Sequence, residues 1–318
     1  MFEINIEKFK ESMLSILKEI EHTDTHCITR LLNIIDKTFI GAKSYRFYTF
    51  LNTLKELGHT IDDNSKVVGF CIEVLQTALI ISDDIIDNSE IRRGHPCWYK
   101  LVGLNAHKDA IFLLLLIKKI LKKYSLNSKG YTNLLKVYEN VLLKTILGEL
   151  HDVLPTQCTD FENIKKVYSI QNYKTMVIAK TAYYTIYLPI YMAYIYSDKV
   201  PPKNLLPFSE IMGIFMQFKD DYLNFFPEKT KKTSNDLQEC KLTWYLSHLV
   251  EESKNENDKI LILQYFQTKD ENIVLPFIKK RLELFEEESE VFLSQARRYL
   301  DEETRKIYKF CIELFENK

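Results

Sequence analysis

Three carboxylates stand between a long apolar segment and two arginines. The sequence reads ISDDIIDNSEIRRG and places Asp83, Asp84 and Asp87 within about one helical turn, ahead of Arg92 and Arg93. On a helix, Asp83 and Asp87 share a face, where like charges are destabilising by roughly 0.2–0.5 kcal/mol. A positive partner is therefore expected beside these carboxylates.

Two kinds of positive partner fit this pattern. In one interpretation, the two arginines neutralise the carboxylates as structural ion pairs. In the other, the carboxylates bind a hard divalent cation such as Mg²⁺, which prefers oxygen ligands and uses one or two carboxylates plus substrate phosphates. The metal interpretation is favoured here, because the neighbouring isoleucines are not typical of a solvated surface.

A second acidic pair ends another apolar segment much further along the chain. The sequence KDDYLNFFPE places Asp220 and Asp221 ahead of Asn224 and Glu228. Either motif alone would be weak, but together they predict two sides of one cavity. Facing carboxylates would chelate several Mg²⁺ ions, and these would bind a polyanion such as diphosphate.

The composition predicts an all-α protein that positions these motifs on long helices. Gly and Pro number eight each among 318 residues, whereas their usual shares are about 7% and 5%. Few turns are therefore expected. Hydrophobic residues make up 46% of the chain, enough for a large core. Because no linker is long enough to separate domains, we predict a single domain over residues 1–318.

Charge, cysteine usage and hydropathy argue against several other classes of protein. The net charge is −1, so no nucleic-acid surface is expected. The six cysteines lack CxxC or zinc-type spacing, which favours a reducing compartment, and we expect a cytoplasmic protein. No targeting segment is evident, and the most apolar stretch, AIFLLLLI, is far shorter than the roughly 20 residues of a transmembrane helix.

Apolar spacing predicts helices along most of the chain. Phe9, Met13, Ile16, Leu17 and Ile20 would form the apolar face of the first. Asp62 and Asp63 are interpreted as a turn or an N-cap before the apolar helix that ends with the first acidic motif. Further helices are expected near 27–39, from 47, at 106–124, 130–153, 160–174 and 176–196, and from 205.

Several motifs, in this order, resemble those of the trans-prenyl diphosphate synthases, most closely the farnesyl branch. They are GAKSYR, LQTALIISDDIIDNSEIRRGHPCWY, IAKTAYYTIYLP, MQFKDDYLNFF and KKTSNDLQECKLTW. The resemblance covers nearly all of residues 38–312. It implies an isoprenoid-synthase-type helical bundle around a deep central cavity, and a homodimer. It also implies a Mg²⁺-dependent transferase of isoprenoid biosynthesis.

In such an enzyme, isopentenyl diphosphate condenses with dimethylallyl or geranyl diphosphate to give farnesyl diphosphate, and extension to geranylgeranyl diphosphate is left open. Three Mg²⁺ ions per active site are implied. Their ligands would be Asp83, Asp84, Asp87, Asp152, Asp220, Asp221 and Asn224. The allylic diphosphate would be bound by Arg92, Lys180 and Lys232. The isopentenyl diphosphate pocket would consist of Lys43, Arg46, Gln76 and Arg93. Thr181 would help hold the nascent cation, and Gln217, Asp236 and Lys241 match further polar positions of the site.

Three positions depart from the family pattern. Asn224 replaces an aspartate, Met216 replaces the usual Phe, and Glu149 replaces the usual Gln beside the metal site. Two other functions therefore stay open. A class I terpene cyclase would use Asp220, Asn224 and Glu228 as a metal triad, and a non-catalytic subunit of a heteromeric synthase would have lost some site residues.

Ala78 and Leu79 stand one helical turn before the first acidic motif, where farnesyl synthases usually have aromatic residues. These residues would form the floor of the hydrocarbon pocket. Small aliphatic side chains predict an open floor and longer products. The alternative is that an aromatic residue from another helix, or from a second subunit, fills the gap.

Overall fold

A computed structural model of the chain describes residues 6–20, 24–153, 160–230 and 236–316. The helices in chain order are α1 Ile6–Lys18, α2 Thr25–Thr38, α3 Tyr45–Glu56, α4 Asp63–Ile86, α5 Trp98–Val102, α6 Ala106–Tyr124, α7 Ser128–Val153, α8 Phe161–Val167, α9 Ile170–Val177, α10 Leu188–Tyr196, α11 Leu205–Leu223, α12 Pro227–Thr230, α13 Trp244–Glu252, α14 Glu256–Thr268, α15 Leu275–Leu282, α16 Phe285–Arg297 and α17 Arg305–Glu316. A π-helical segment, Ile178–Tyr187, joins α9 to α10, and two short 3-10 helices occur at Gly103–Asn105 and Glu271–Ile273.

The β structure of the described residues is one very short hairpin. β1 (Ile91–Arg92) pairs antiparallel with β2 (His95–Pro96), so that Arg92 lies opposite His95. Arg93, in the turn, has a left-handed backbone conformation with φ of +56°. This hairpin follows the first acidic motif and sends Arg92 and Arg93 to different partners. The predicted all-α class is confirmed.

The chain divides into two compact units. Among the described residues, the first unit contains 6–20, 24–139 and 188–202, and the second contains 140–153, 160–187, 203–230 and 236–316. The first acidic motif belongs to the first unit and the second motif to the second. The prediction of a single domain, and that of one cavity between the motifs, both stay predictions.

Helix α4 forms the centre of the first unit, where it packs against α6, α3 and α1. Within the described part of the chain it is the one helix long and apolar enough to cross a membrane, and 78% of the stretch concerned is buried. Asp62 caps its first turn, because the Asp62 carboxylate accepts a hydrogen bond from the Ser65 N–H at 2.8 Å. The N-cap interpretation of Asp62 is thus confirmed.

In the second unit, helix α11 packs against the π-helical segment, α16, α9 and α13. Two glycines let helices approach this π-helical segment closely. A Cβ atom on Gly148 of α7 would lie 2.3 Å from the Lys180 nitrogen, and one on Gly213 of α11 would lie 2.3 Å from the Ala182 Cβ. Backbones therefore meet at both crossings, which fixes the positions of Lys180 and its neighbours.

Three predictions about the helices were wrong. The segment 160–174 is interrupted at Ser169, whose hydroxyl accepts a hydrogen bond from the Asn172 N–H at 3.1 Å and starts α9 as an N-cap. The predicted helix 176–196 contains the π-helical segment, and Pro189 has no N–H to donate to the preceding turn. Ile20 lies beyond α1 and is 48% exposed, so it does not share the buried face.

Candidate active site

The first acidic motif lies at the C-terminal end of α4, where the three carboxylates differ in exposure. Asp83 and Asp87 are half-buried, whereas Asp84 is only 3% exposed. The Arg92 guanidinium donates to one Asp84 oxygen from Nε at 2.8 Å and from Nη2 at 2.5 Å. The ion-pair interpretation therefore applies to Asp84, while Asp83 and Asp87 are the more accessible oxygen donors.

Arg93 contributes to a group of guanidiniums in the first unit. One of its nitrogens donates to the Thr38 carbonyl at 2.9 Å. Burial lowers the pKa of Arg93 below its ordinary value; the attraction of Glu73 opposes this change, and repulsion by Arg92 and Arg46 adds to it. Guanidiniums close enough to repel one another favour an anionic ligand, because an anion relieves that repulsion.

Arg46 and Gln76, both predicted to bind isopentenyl diphosphate, are brought together. The Arg46 guanidinium donates to the Gln76 side-chain oxygen, and Arg46 is only 6% exposed. Lys43 is exposed just before α3, with its ammonium 5.9 Å from the centroid of the Tyr45 ring. Three of the four predicted pocket residues thus lie on or next to α3 and α4.

Glu73 is a site residue that the sequence analysis missed. Its carboxylate is 3% exposed and accepts a hydrogen bond from the Phe47 N–H, in the first turn of α3, at 3.0 Å. Ser44, at the N-cap position, makes no side-chain cap, so Glu73 supplies this bond from α4. Glu73 thereby positions the turn that carries Arg46. The signal was present, since a lone carboxylate in an otherwise apolar segment needs a buried partner.

Lys180 in the second unit is held between two carboxylates of α7. Its ammonium lies 2.7 Å from an Asp152 oxygen and 2.8 Å from a Glu149 oxygen. The three side chains are mostly buried, with exposed fractions of 15% for Lys180, 11% for Asp152 and 23% for Glu149. The pairing of Asp152 and Lys180 agrees with their placement at one site, and the partnership with Glu149 was not predicted.

A chain of hydrogen bonds connects the π-helical segment to α11. The Thr181 hydroxyl donates to the Gln217 oxygen at 2.9 Å, and the Gln217 amide donates to Asp221 at 3.0 Å. The other Asp221 oxygen accepts from the Trp244 N–H at 2.8 Å. Burial raises the pKa of Asp221 to about 8, against these stabilising hydrogen bonds. Thr181, Gln217 and Asp221 therefore lie together, as the resemblance implied.

The three residues of the cyclase-type metal triad, at the end of α11 and beyond it, do not lie on one helix. Asp220 is half-buried, and Asn224 is the C-cap residue with its N–H donating to the Asp220 carbonyl at 3.0 Å. Glu228 is exposed and belongs to the separate short helix α12. The three residues are spaced in sequence as on one helix, but the helix ends before the third.

The remaining predicted residues are placed as follows. The Lys241 ammonium lies 3.4 Å from Glu239 and 4.0 Å from Asp236, close to the segment that leads into α13. Lys232 lies outside the described residues. Ala78 and Leu79 are 1% and 7% exposed, so other protein atoms cover both almost completely. This burial favours the alternative in which neighbouring side chains fill the predicted floor.

The oxygen donors suit Mg²⁺ better than a metal that needs a complete protein cage. In the parts of the chain that the structure describes, no group of three or more His, Cys, Asp or Glu residues is arranged to hold a metal ion. Mg²⁺ usually keeps several waters and takes only one or two carboxylates plus substrate phosphates. Asp83 and Asp87 in one unit and Asp220 in the other are half-buried carboxylates that fit this description.

Comparison with known sequences decides the family. Residues 28–279 match the family described as polyprenyl synthetase. The chain belongs to this family. A farnesyl pyrophosphate synthase of Saccharomyces cerevisiae is 34% identical over 220 residues, which cover 67% of this chain and 62% of the yeast protein. The corresponding protein of Rattus norvegicus is 33% identical over 77% of this chain and 73% of its own length.

Comparison with solved structures confirms the fold. A Trypanosoma brucei farnesyl diphosphate synthase in complex with minodronate superposes with a TM-score of 0.80 at 23% identity, covering 98% of this chain and 97% of that chain. The predicted isoprenoid-synthase-type helical fold is therefore correct. With the polyprenyl synthetase sequence match, the predicted membership of this enzyme family is confirmed as well.

Proposed function

We propose that this chain is a Mg²⁺-dependent trans-prenyltransferase of the farnesyl diphosphate synthase type. It condenses isopentenyl diphosphate with dimethylallyl or geranyl diphosphate. The observation that carries this proposal is the family match over residues 28–279, which contains both acidic motifs and the cationic residues between them. The aligned part spans 62% of the yeast relative, so substrates and activity are inferred from these site residues as well.

The residues of the chain account for the main requirements of this reaction. Bound Mg²⁺ would supply electrostatic stabilisation of the leaving diphosphate, and Asp83, Asp87 and Asp220 would be its carboxylate ligands. Three ions per site are proposed. Arg92 and Lys180 would bind the allylic diphosphate, and Lys232 would join them.

The second substrate needs its own anion pocket. Arg46, Gln76 and Arg93 would hold the isopentenyl diphosphate, with Lys43 at the exposed edge. When the allylic C–O bond breaks, its electron pair leaves with diphosphate, and the isopentenyl double bond attacks the resulting cation. The released diphosphate takes the proton, so no protein base is required. The Thr181 hydroxyl and backbone carbonyl would stabilise the cation.

Two observations weigh against the other candidate functions. A cyclase needs no isopentenyl diphosphate pocket, yet Arg46 and Gln76 are hydrogen-bonded to each other and Arg93 carries a perturbed pKa beside them. The triad Asp220, Asn224 and Glu228 is also divided between two helices. A non-catalytic subunit would have no reason to retain the first acidic motif.

A homodimer is also proposed, supported by an apolar stripe on α7. Leu143, Ile146, Leu147 and Leu150 follow the i, i+3, i+4, i+7 spacing of one helix face, and their exposed fractions are 61%, 37%, 57% and 60%. Adjacent exposed apolar side chains of this kind indicate a protein contact. A second copy of this chain would cover the stripe. Analytical ultracentrifugation of Leu147→Lys should show a larger monomer fraction than the wild-type protein.

Location in the cytoplasm stays a prediction. One related farnesyl pyrophosphate synthase, from Arabidopsis thaliana, is named as mitochondrial, and it is 33% identical over 76% of this chain. Membership of the family therefore does not fix the compartment. Fluorescence microscopy of the tagged full-length chain would test the location.

One incubation tests the proposed reaction directly. The purified chain is supplied with isopentenyl diphosphate, dimethylallyl diphosphate and Mg²⁺, and the products are identified by mass spectrometry. Farnesyl diphosphate is expected, and none should form when Mg²⁺ is chelated. A cyclised hydrocarbon formed from an allylic diphosphate alone would instead identify a cyclase. An intact fold without turnover would identify a non-catalytic subunit.

Product length tests the roles of Ala78 and Leu79. If the floor of the hydrocarbon pocket is open, the wild type makes geranylgeranyl as well as farnesyl diphosphate. The double variant Ala78→Phe, Leu79→Phe should then shorten the products without greatly lowering total isopentenyl consumption. If the wild type stops at farnesyl diphosphate and the variant changes nothing, other side chains form the floor. Because both positions are buried, the added volume should lower stability by about 1–3 kcal/mol.

A further inference from the structure

Two fully buried tyrosines of the second unit hold the turn at residues 236–240. The Tyr265 hydroxyl donates to the Leu237 carbonyl at 2.6 Å, and the Tyr168 hydroxyl donates to the Cys240 carbonyl. Both tyrosines are 0% exposed, and burial raises the pKa of Tyr265, so its hydroxyl stays protonated and remains a donor. Because a buried carbonyl that loses its donor costs free energy, these two hydrogen bonds fix the turn.

The turn ends in a strained backbone conformation. Cys240 has a φ of +52°, in the left-handed region that residues other than glycine rarely adopt. The Lys241 N–H, directly after it, donates to the Asp236 carbonyl at 2.9 Å and closes the turn. A conformation of this kind persists only where surrounding contacts determine it, and it is common at functional sites. The Tyr168 hydroxyl holds the strained residue itself and therefore helps to set the direction in which the chain continues to Lys241.

The same turn orients the Lys241 side chain and is followed by a contact with the second acidic motif. The Lys241 ammonium lies 3.4 Å from a Glu239 oxygen and 4.0 Å from an Asp236 oxygen, and both carboxylates belong to the turn. Three residues after Lys241, the Trp244 N–H donates to an Asp221 oxygen at 2.8 Å. The backbone that carries Lys241 is therefore held by the turn on one side and by the second motif on the other.

We propose that Tyr168 and Tyr265 are positioning residues that place Lys241 for binding the allylic diphosphate. The proposal rests on the proposed function, and it adds Lys241 to the cations, such as Lys180, that bind this substrate. Charge-assisted hydrogen bonds to phosphate need donor–acceptor distances of about 2.7–2.9 Å, so a small shift of the ammonium weakens binding. The tyrosines are fully buried and act on the lysine through the backbone of the turn.

Phenylalanine variants remove each hydroxyl and leave the ring in place. In steady-state condensation assays, Tyr168→Phe and Tyr265→Phe should each raise the KM for dimethylallyl diphosphate about fivefold, the factor that corresponds to one typical hydrogen bond. The value of kcat and the KM for isopentenyl diphosphate should stay close to those of the wild type. An unchanged KM for dimethylallyl diphosphate in either variant would contradict the inference, as would an equal rise in KM for both substrates. Tyr265→Phe carries the same test if Tyr168→Phe does not fold.

Tyr138→Phe is a matched control from the first unit. The Tyr138 hydroxyl donates to the Leu114 carbonyl at 3.0 Å, and this tyrosine is 1% exposed. The three variants should lower the thermal unfolding midpoint by similar amounts, since each removes one hydrogen bond to a main-chain carbonyl. The control should nevertheless keep the wild-type KM for dimethylallyl diphosphate. An equal rise in KM in all three variants would reveal a general effect of lost stability and overturn the inference.

A double-mutant cycle tests whether the tyrosines act through Lys241. Lys241→Met should itself raise the KM for dimethylallyl diphosphate, and in that background Tyr265→Phe should raise it no further. If the effect of Tyr265→Phe persists unchanged, the turn acts on another part of the site and the assignment to Lys241 is wrong. A wild-type chain without condensation activity would overturn the proposed function itself, whereas an active wild type whose KM does not respond to the tyrosine variants would overturn only this inference.

Discussion

The ends of α4 and α11 carry the same Asp–Asp sequence but neutralise it differently. In each pair the first residue, Asp83 or Asp220, is half-buried and the second, Asp84 or Asp221, is 3% exposed. Asp84 forms an ion pair with Arg92, whereas Asp221 is held by the Trp244 N–H and the Gln217 amide. The second aspartate of the first pair is therefore neutralised by a positive charge, whereas the second aspartate of the other pair is held by neutral hydrogen-bond donors.

The exposure of the aspartates indicates that the two members of each pair have different roles. Burial removes the second aspartate of each pair from easy contact with a metal and gives it a role in the surrounding structure. The first aspartate keeps part of its carboxylate accessible. For the metal site, Asp83 and Asp220 are accordingly better candidates than Asp84 and Asp221, although the resemblance implied all four.

The largest expected effect comes from removing an accessible carboxylate. Asp83→Ala should lower the condensation rate by at least about a thousandfold, because charge stabilisation at the reacting group is lost. Its thermal unfolding midpoint should stay close to that of the wild type, since Asp83 is half-buried. The rate is measured as isopentenyl diphosphate incorporated at saturating Mg²⁺. A loss of less than tenfold would remove Asp83 from the metal site.

The buried members should instead differ in stability. Asp84→Asn leaves the Arg92 guanidinium without its anionic partner and should lower the free energy of unfolding by about 3–5 kcal/mol. Asp221→Asn removes no ion-pair partner, and because burial keeps Asp221 protonated in the folded state near neutral pH, this variant should not lower the free energy of unfolding there. Urea unfolding of both variants measures the contrast. Equal losses would mean that the two aspartates are held in the same way.

The difference between the two pairs also predicts that the free energy of unfolding depends on pH through Asp221, in the second unit. The pKa of Asp221 is raised from 3.8 to about 8, so between these values the folded state holds a proton that the unfolded state has released. The stability contributed by this proton is complete below about pH 4 and is lost as pH rises through 8. The slope is at most about −1.4 kcal/mol per pH unit.

Asp221→Asn tests the origin of this slope. Relative to the wild type, the variant should gain stability progressively from pH 5 to pH 9, as measured by urea unfolding at several pH values. Parallel curves for the two proteins across this range would mean that Asp221 stays ionised in the folded state.

The sequence was sufficient to predict most of the helices, but not how the candidate site residues pair with one another. Helix α6 was predicted at its observed bounds, because its apolar spacing is regular. The π-helical segment was missed, since local apolar spacing does not distinguish it from an α-helix. Its position depends on close backbone contacts at Gly148 and Gly213, which only the folded chain brings together.

The sequence was also insufficient to predict which groups pair with the buried carboxylates. The partner of Asp84, Arg92, lies close to it in sequence and could be suspected. The partner of Asp221, the Trp244 N–H, comes from another helix and could not. Glu73 was not singled out from the sequence, because its partner, the Phe47 N–H in the first turn of α3, lies far from it along the chain. Candidate site residues could be chosen from the sequence, whereas their ion pairs and their burial follow only from the packed structure.

The smallest predicted effect concerns Asn224, where the second motif lacks a charge. Asn224 is the C-cap residue of α11 and is 6% exposed. Asn224→Asp should lower the Mg²⁺ concentration for half-maximal activity a few-fold, because it restores a carboxylate one turn after Asp220. The new charge lies at a helix C-terminus and at a buried position, so in the absence of Mg²⁺ the free energy of unfolding should fall by more than the about 0.3–1 kcal/mol typical of an exposed charge at a helix end. Asn255→Asp, at the N-cap of α14, adds the same charge in the same unit and should leave the Mg²⁺ requirement unchanged. If Asn224→Asp abolishes activity instead, the amide itself is needed, and the metal triad of a cyclase would describe the end of α11 better than a second aspartate-rich motif.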